Sequence, residues 1–325
     1  MTASASLALL AGTAGAQVTV GQLTPAANPP VNCDYPAPYD EFNTSVAAGA
    51  SYTVPAPGGV LTSWSTNAGP GAGQLLELKV IRPTGAGSFT VVGADGLRAL
   101  APSVVNTFPI NIPVQAGDIV GLHVASEFES APTSCYFDTT SVLDRVGWRE
   151  GFHPLGSTFS FEEEGTEWRM NVSATLLPPP IMTGIGPAAG SITGGTPVVV
   201  TGANFASVKG VTFGTTPVPY VVNSEGQITA TAPASKTLGK VTVSVTTAAG
   251  AVTSATPFTY EGCAVPKLNG KKLKASKKKL KKSDCKLGKV KKIGDATAKT
   301  GKVSKQNPKP GAILPPGTKV TIKLK

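Results

Sequence analysis

Few residues in this chain are equipped to do chemistry. It holds 4 Cys and 2 His among 325 residues, against 29 Lys and Arg and 19 Asp and Glu. No Cys-x-x-Cys occurs, and there are only two histidines, His123 and His153, so a zinc site has little support. No Gly-x-Ser-x-Gly is present to raise a nucleophilic serine. Residues 1–180 carry 15 acids, enough to supply the two carboxylates of a glycan hydrolase. The run Glu162-Glu163-Glu164 beside Gly165 reads instead as a solvated loop. Clustered oxygens of Asp34, Asp40 and Glu41 with that loop could hold calcium, but no EF-hand spacing is present. Trp64, Trp148 and Trp168 read as core residues, and sugar stacking is the alternative. No catalytic, cofactor or metal residue is therefore assigned.

Two residue types do form a pattern. The cysteines fall as Cys33 with Cys135 and Cys263 with Cys285, each pair in its own compositional zone. Of three possible connectivities, 33–135 and 263–285 is the economical one, with four free thiols as the alternative. The lysines crowd into one stretch: Lys271, Lys272, Lys274, Lys277, Lys278, Lys279, Lys281, Lys282, Lys286, Lys289, Lys291 and Lys292. Such a face attracts polyanions in a salt-dependent way. Residues 261–325 contain no Arg, Phe, Tyr or Trp, so the forks and stacking surfaces that read nucleic acid are missing. No specific nucleic-acid partner is expected.

The formal charge of +10 divides unevenly. Residues 1–180 have 6 basic and 15 acidic residues, a net of −9. Residues 181–260 net +2, and residues 261–325, with 20 Lys and 3 acids, net +17. An acidic and a basic zone imply two surfaces with different partners. No apolar run approaches the ~18–20 residues of a spanning helix.

At the N-terminus, Met1–Ala16 has a short apolar centre, Leu7–Ala11, before the small-x-small Ala14-Gly15-Ala16, the pattern of a cleaved secretory signal. No Lys or Arg precedes the apolar centre, which leaves an upstream start or a non-signal N-terminus as alternatives. Export would suit paired cysteines. The zone from 17 to 177 alternates short β-rich runs with Gly, Pro, Asn and Asp. Strands are expected at Gln17–Leu23, Gly59–Ser65, Leu75–Ile81, Ser88–Val92, Thr107–Val114, Ile119–Val124, Ser157–Glu162 and Arg169–Leu176. Their period and punctuation indicate a β-sandwich or jelly roll. His123 falls on a strand and His153 in a loop.

After the stiff Pro178-Pro179-Pro180, residues 181–260 show about seven short strands with glycine corners. They include Pro187 with Gly190, the turn Gly194-Gly195-Thr196, Gly202-x-Asn204-Phe205, Phe213-Gly214, Ala232-Pro233 and Phe258-x-Tyr260. This combination resembles the IPT/TIG family of immunoglobulin-like domains. Val198, Val200, Val243 and Val245 would alternate inward. The resemblance implies a spacer or adhesive module. With a net charge of +2 and no Arg, the DNA-contacting branch of the family has no support here.

In residues 261–325 the apolar residues keep helical spacing at Leu273, Ser276 and Leu280, then strand spacing at Val290 with Ile293, at Val303, and at Val320, Ile322 and Leu324. With Val265-Pro266, Leu268, Gly270, Gly288, Gly301-x-Val303, Gln306, Pro308, Gly311 and Gly317, the segment resembles a single PASTA domain, a helix over a small three-stranded sheet. It departs from the family at Ser276, usually Ala, and at Cys285, usually Leu. A Cys263–Cys285 bridge would tie the first strand to the helix end, in a domain too small for a large core. The resemblance implies peptidoglycan or anionic wall polymer as a partner. No kinase signature accompanies it.

The chain is thus expected to be mainly all-β: an N-terminal sandwich, an IPT/TIG sandwich and a small α+β PASTA module. The role this implies is a secreted, cell-wall-associated, non-enzymatic binding or adhesion protein. A secreted glycan-active hydrolase with its catalytic domain in 17–177, and a structural envelope protein without a small ligand, are the alternatives.

Overall fold

A computed structural model describes residues 17–25, 30–33, 36–85, 87–125, 132–161 and 163–325, with Glu163 described by its backbone alone. The expected signal at 1–16, and the expected roles of Asp34 and Glu162, lie outside the described residues. The protein forms two compact units. One runs to Pro179, and the other from Pro180 to Lys325 apart from residues 248–250.

The first unit is a β-sandwich. One sheet orders the strands Val18–Gln22, Val172–Leu177, Gly59–Asn67 and Val105–Val114. The other runs Thr158–Ser160, Ser88–Ala94, Leu75–Gly85, Ile119–Val124, Tyr39–Ser45, Arg145–Glu150 and Glu163–Thr166, with Arg98–Ala99 paired beside Leu75–Gly85. A third sheet joins Trp168–Met170, Thr133–Asp138 and Val31–Cys33. The core draws on both main sheets, with Val20, Leu61, Trp64, Ala174 and Leu176 from the first and Leu76, Leu78, Val80, Val120, Leu122 and Val124 from the second. Each large apolar side chain so buried stabilises the fold by about 1.5–3 kcal/mol. Trp64 is fully buried, and its indole Nε1 donates to Asp95 Oδ2 at 2.8 Å, as a buried indole requires.

Ile119–Val124 is buried at every residue, because its second face is also covered. Phe152 packs edge-on against His123, and Phe159 and Phe161 approach Phe42. The loop following Arg145–Glu150 and the strand Thr158–Ser160 therefore close over what would otherwise be a solvent face. Two local expectations change. Glu163–Thr166 is a strand, not a loop, paired with Arg145–Trp148, and Glu164 bonds Arg145 Nη1 at 2.6 Å and the Thr44 hydroxyl. An edge strand tolerates charge because one side meets solvent. The strand expected over Ser157–Glu162 is shortened to Thr158–Ser160.

The second unit begins with an immunoglobulin-like sandwich. Eleven short strands appear between Ile181 and Glu261, more than the seven expected, and they divide among three small sheets. Val198, Val200, Val243 and Val245 alternate inward and are completely buried beside Phe205, Phe213 and Phe258. Gly194 adopts φ 75°, and a Cβ there would stand 2.5 Å from the Ala234 nitrogen, so the turn admits only glycine.

The remainder is one α-helix, Leu273–Lys282, over a sheet ordered Lys286–Lys292, Lys319–Leu324, Val303–Asn307. The middle strand is parallel to the first and antiparallel to the third. Leu280, Val265, Leu268, Val320, Ile322 and Leu324 make the core. Ser276 is buried, and its hydroxyl donates to the Lys272 carbonyl at 3.1 Å, so the polar replacement is satisfied within the helix. Gln306 locks the entry, accepting from the Leu268 N–H at 2.8 Å and donating to the Pro266 carbonyl at 3.1 Å. Ile293 is not a strand residue; it follows Lys292 and is exposed. Both disulfides form as paired from composition: Cys33–Cys135 with Cα atoms 5.9 Å apart, and Cys263–Cys285 with 4.8 Å.

Candidate functional site

All twelve lysines singled out between residues 271 and 292 are exposed. Lys274, Lys277, Lys278, Lys279, Lys281 and Lys282 lie on the helix, whose buried residues are Ser276 and Leu280. Lys271 and Lys272 precede it. Lys286, Lys289, Lys291 and Lys292 lie on the strand that follows. Among the described residues none of the twelve makes an ion pair. On the helix, Lys274 with Lys278, Lys277 with Lys281 and Lys278 with Lys282 are i,i+4 neighbours of like charge, an arrangement that weakens a helix. No acid stands in the first turn to offset it, although Lys279, Lys281 and Lys282 suit the negative end of the helix dipole.

Three of the lysines converge. Lys277, Lys281 and Lys286 border a cleft of about 540 Å³ whose lining also includes Leu280, Cys285, Leu287, Pro316 and Gly317, the last packed against the Lys286 side chain. Asp284 and Glu261 stand at its rim. The chain can reach this shape because Asp284 takes a left-handed turn, φ 54°, and its carbonyl accepts the Gly317 N–H at 2.7 Å. The cleft combines ammonium donors with an apolar lining, which suits an anionic group carried on a larger body. The other nine lysines, on the helix, on the strand and just before the helix, do not line this cleft.

A second polar centre, unanticipated from sequence, lies within the N-terminal sandwich. Asp40 is fully buried; its Oδ1 lies 2.7 Å from His123 Nδ1 and its Oδ2 lies 2.9 Å from His153 Nδ1. Oδ2 also accepts the His153 backbone N–H at 3.1 Å. Lys79, equally buried, pairs with Glu77 at 3.3 Å, donates to the His153 carbonyl at 3.1 Å and lies 4.1 Å from the Phe152 ring centre. Among the described residues no serine, threonine or cysteine side chain bonds either histidine, so neither is arranged as the base of a nucleophilic pair. Asp40 is met by histidines from two other segments, and Lys79, paired with Glu77 on its own strand, reaches the His153 carbonyl, so the centre acts as a tie between the sheet and the loop.

The remaining candidates are placed as follows. Cys33, Glu41 and Cys135 come together, but the sulfurs are bonded to each other and are not thiolate ligands. Trp148 and Trp168 are half-buried and form a row with Tyr136, ring centres 6.1 and 5.1 Å apart. Gly165 lies where a Cβ would strike both indoles. Asp144 is buried against Arg169. Burial alone would raise its carboxyl, but hydrogen bonds from Arg169, the Ala47 N–H and Thr139, with the Arg169 charge, outweigh burial and hold it below the ordinary carboxylate value. Burial pushes the Tyr52 and Tyr260 hydroxyls up.

No curated protein matches the chain. Among solved structures, a phosphatase candidate from Bacteroides thetaiotaomicron VPI-5482 is 21% identical over 28% of this chain, with a TM-score of 0.23. The full extracellular region of plexin A4 is 17% identical over 72% of it, with a TM-score of 0.24. The matched parts are 20% and 19% of those chains, so this chain spans about a fifth of the length of each. Family models match two stretches and leave the N-terminal region unassigned. The chain carries an IPT/TIG domain at residues 180–260, followed by a C-terminal PASTA domain at residues 264–325.

Proposed function

We propose that this is an exported, non-enzymatic binding or adhesion protein of the cell wall, whose PASTA domain holds it to peptidoglycan or an anionic wall polymer. The two domain types fit a cell-wall-associated binding role. The observation that carries the finer reading is the exposure of twelve lysines without ion pairs, three of them bordering one cleft. A polyanion laid along the helix neutralises the like-charge neighbours and releases its own counterions. Lys presents point charges, which suit repeating phosphate or carboxylate groups better than a sequence-reading role.

Co-sedimentation with purified cell walls tests this. Full-length protein should pellet at low salt and be released as salt rises, whereas a chain ending at Tyr260 should stay in solution. The Lys277→Gln, Lys281→Gln, Lys286→Gln triple variant should bind more weakly with a shallower salt dependence. Equal pelleting of all three proteins would overturn the proposal.

A further inference from the structure

The immunoglobulin-like sandwich carries a cleft of about 510 Å³, within the range of small-ligand sites. Three parts of the domain line it: the turn 214–216 with Phe213 before it, the segment 233–236, and Val241 with Tyr260 from two paired strands. We infer that this cleft binds a small carboxylic acid, with the Tyr260 hydroxyl and the Lys236 ammonium as donors to the carboxylate.

Tyr260 is 4% exposed, and its ring meets Phe258 edge-on with centres 5.2 Å apart. Its strand, Phe258–Glu261, is paired on both edges, with Ala189–Ser191 and with Gly239–Val241, so Tyr260 lines the cleft with its side chain. No group among the described residues bonds its hydroxyl. The Thr24 and Ser207 hydroxyls are sealed from solvent without a partner; the Tyr260 hydroxyl is not sealed, and it opens on the cleft its side chain lines. Burial pushes the phenol up, so it stays protonated and donates. The core does not need this hydroxyl, because Phe would fill the same space. Lys236, Thr215 and Thr216 are exposed on the same cleft, and none has a protein partner among the described residues. The backbone that carries them is fixed. The Gly214 N–H donates to the Thr242 carbonyl at 2.8 Å and the Ser235 N–H to the Ile192 carbonyl at 2.9 Å. The Ser235 hydroxyl is spent on its own segment, donating to the Thr237 carbonyl at 2.8 Å.

The ligand class follows from the donors. An apolar ligand would strip water from the Tyr260 hydroxyl and give it no partner. A cation would meet Lys236, and no acid among the described residues lines the cleft to offset it. A neutral polyol must donate as well as accept, and the lining offers its hydroxyls no carboxylate. A single carboxylate matches the single ammonium in charge. Its two oxygens accept from Lys236, the phenol and a threonine hydroxyl together, and such charge-assisted bonds are the strong ones. The carbon body of the acid then covers Phe213, Pro233 and Val241. This site is independent of the lysine face of the PASTA domain.

The test is titration of full-length protein, labelled for two-dimensional NMR, with two acids: N-acetylalanine, which presents a peptide C-terminus, and glucuronate, which presents an acidic sugar. At least one should shift the amides of residues 213–216 and 234–236, and the acid that binds more tightly identifies the source of the carboxylate. N-acetylalanine amide and the methyl ester of glucuronate, which lack the charge, should shift them far less. Tyr260→Phe should melt like the parent and weaken binding at least about tenfold. Lys236→Gln, at an exposed position, should weaken it by about two- to fivefold and remove its salt dependence. The triple lysine variant should bind the acid unchanged. Absence of shifts at 213–216 and 234–236 with both acids, equal binding of the uncharged analogues, or parental affinity in Tyr260→Phe would each overturn the inference. So would a lowered melting temperature in Tyr260→Phe, since the hydroxyl would then serve the fold. Failure of wall binding with acid binding intact would instead count against the lysine tether alone.

Discussion

His153 meets Asp40 twice, through its Nδ1 at 2.9 Å and its backbone N–H at 3.1 Å, both to the same carboxylate oxygen. The segment Gly151–Ser157 is thereby pinned to the strand Tyr39–Ser45 over a face that would otherwise be wet. Asp40→Asn keeps the shape but replaces one of the two accepting oxygens with an NH2 donor, so one oxygen must serve what two rings and an amide now share. A loss of about 1–3 kcal/mol is expected for leaving such buried donors unmatched. Urea unfolding followed by tryptophan fluorescence checks it; a midpoint equal to the parent's would rule out the tie.

The Asp144 carboxyl is held below its ordinary value, so the folded state favours the ionised form. Its contribution is present above the ordinary carboxyl value of about 3.9 and is lost as pH falls through the lower native one. The melting difference between the parent and Asp144→Asn should be largest near neutral pH and shrink below about pH 4. A difference that grows on acidification would contradict the assignment.

The like-charge neighbours on the helix set stability against binding. Lys278→Gln removes the i,i+4 repulsion with both Lys274 and Lys282. It should raise the stability of the PASTA domain by about 0.4–1 kcal/mol at low salt, about 0.2–0.5 for each of the two pairs, with the gain vanishing at high salt. The same variant should bind wall polymer less well. In the parent, adding a soluble polyphosphate should raise the melting temperature of the C-terminal unit. Calorimetry at two salt concentrations reads all three effects.

Opening the Cys263–Cys285 bridge, which spans 22 residues of sequence, should destabilise the PASTA domain by about 3 kcal/mol in the chain-entropy account. The Cys263→Ser, Cys285→Ser double variant should melt well below the parent and should no longer respond to reductant at this domain. Denaturation with and without dithiothreitol measures this.

The helix over 273–282, the inward valines and Ile119–Val124 were readable from sequence because their apolar period matches the element that forms. Tyr39–Ser45 was not. Its residues Asp40, Glu41 and Asn43 are polar yet buried, and no periodicity marks a strand whose partners are distant side chains. Glu77 and Lys79 alternate with Leu76, Leu78 and Val80 as solvent-facing residues would. They are buried because a loop more than 70 residues later folds over them, supplying Phe152 and the His153 carbonyl. The lysine face could be read from charge density, but the cleft at Lys277, Lys281 and Lys286 depends on the Asp284 turn and on Gly317, which no local pattern brings together.

Eight of the twelve lysines, Lys271 to Lys282, lie between Cys263 and Cys285. The bridge makes that stretch a closed covalent ring at the point where the preceding domain hands over the chain. If the lysines hold a wall and the rest of the protein is pulled by flow or by a neighbouring cell, tension entering at Gly262 meets a sulfur–sulfur bond before it meets any helical hydrogen bond. The gripping surface can then tilt as a body, while the distance between its entry and its exit stays covalently limited under load.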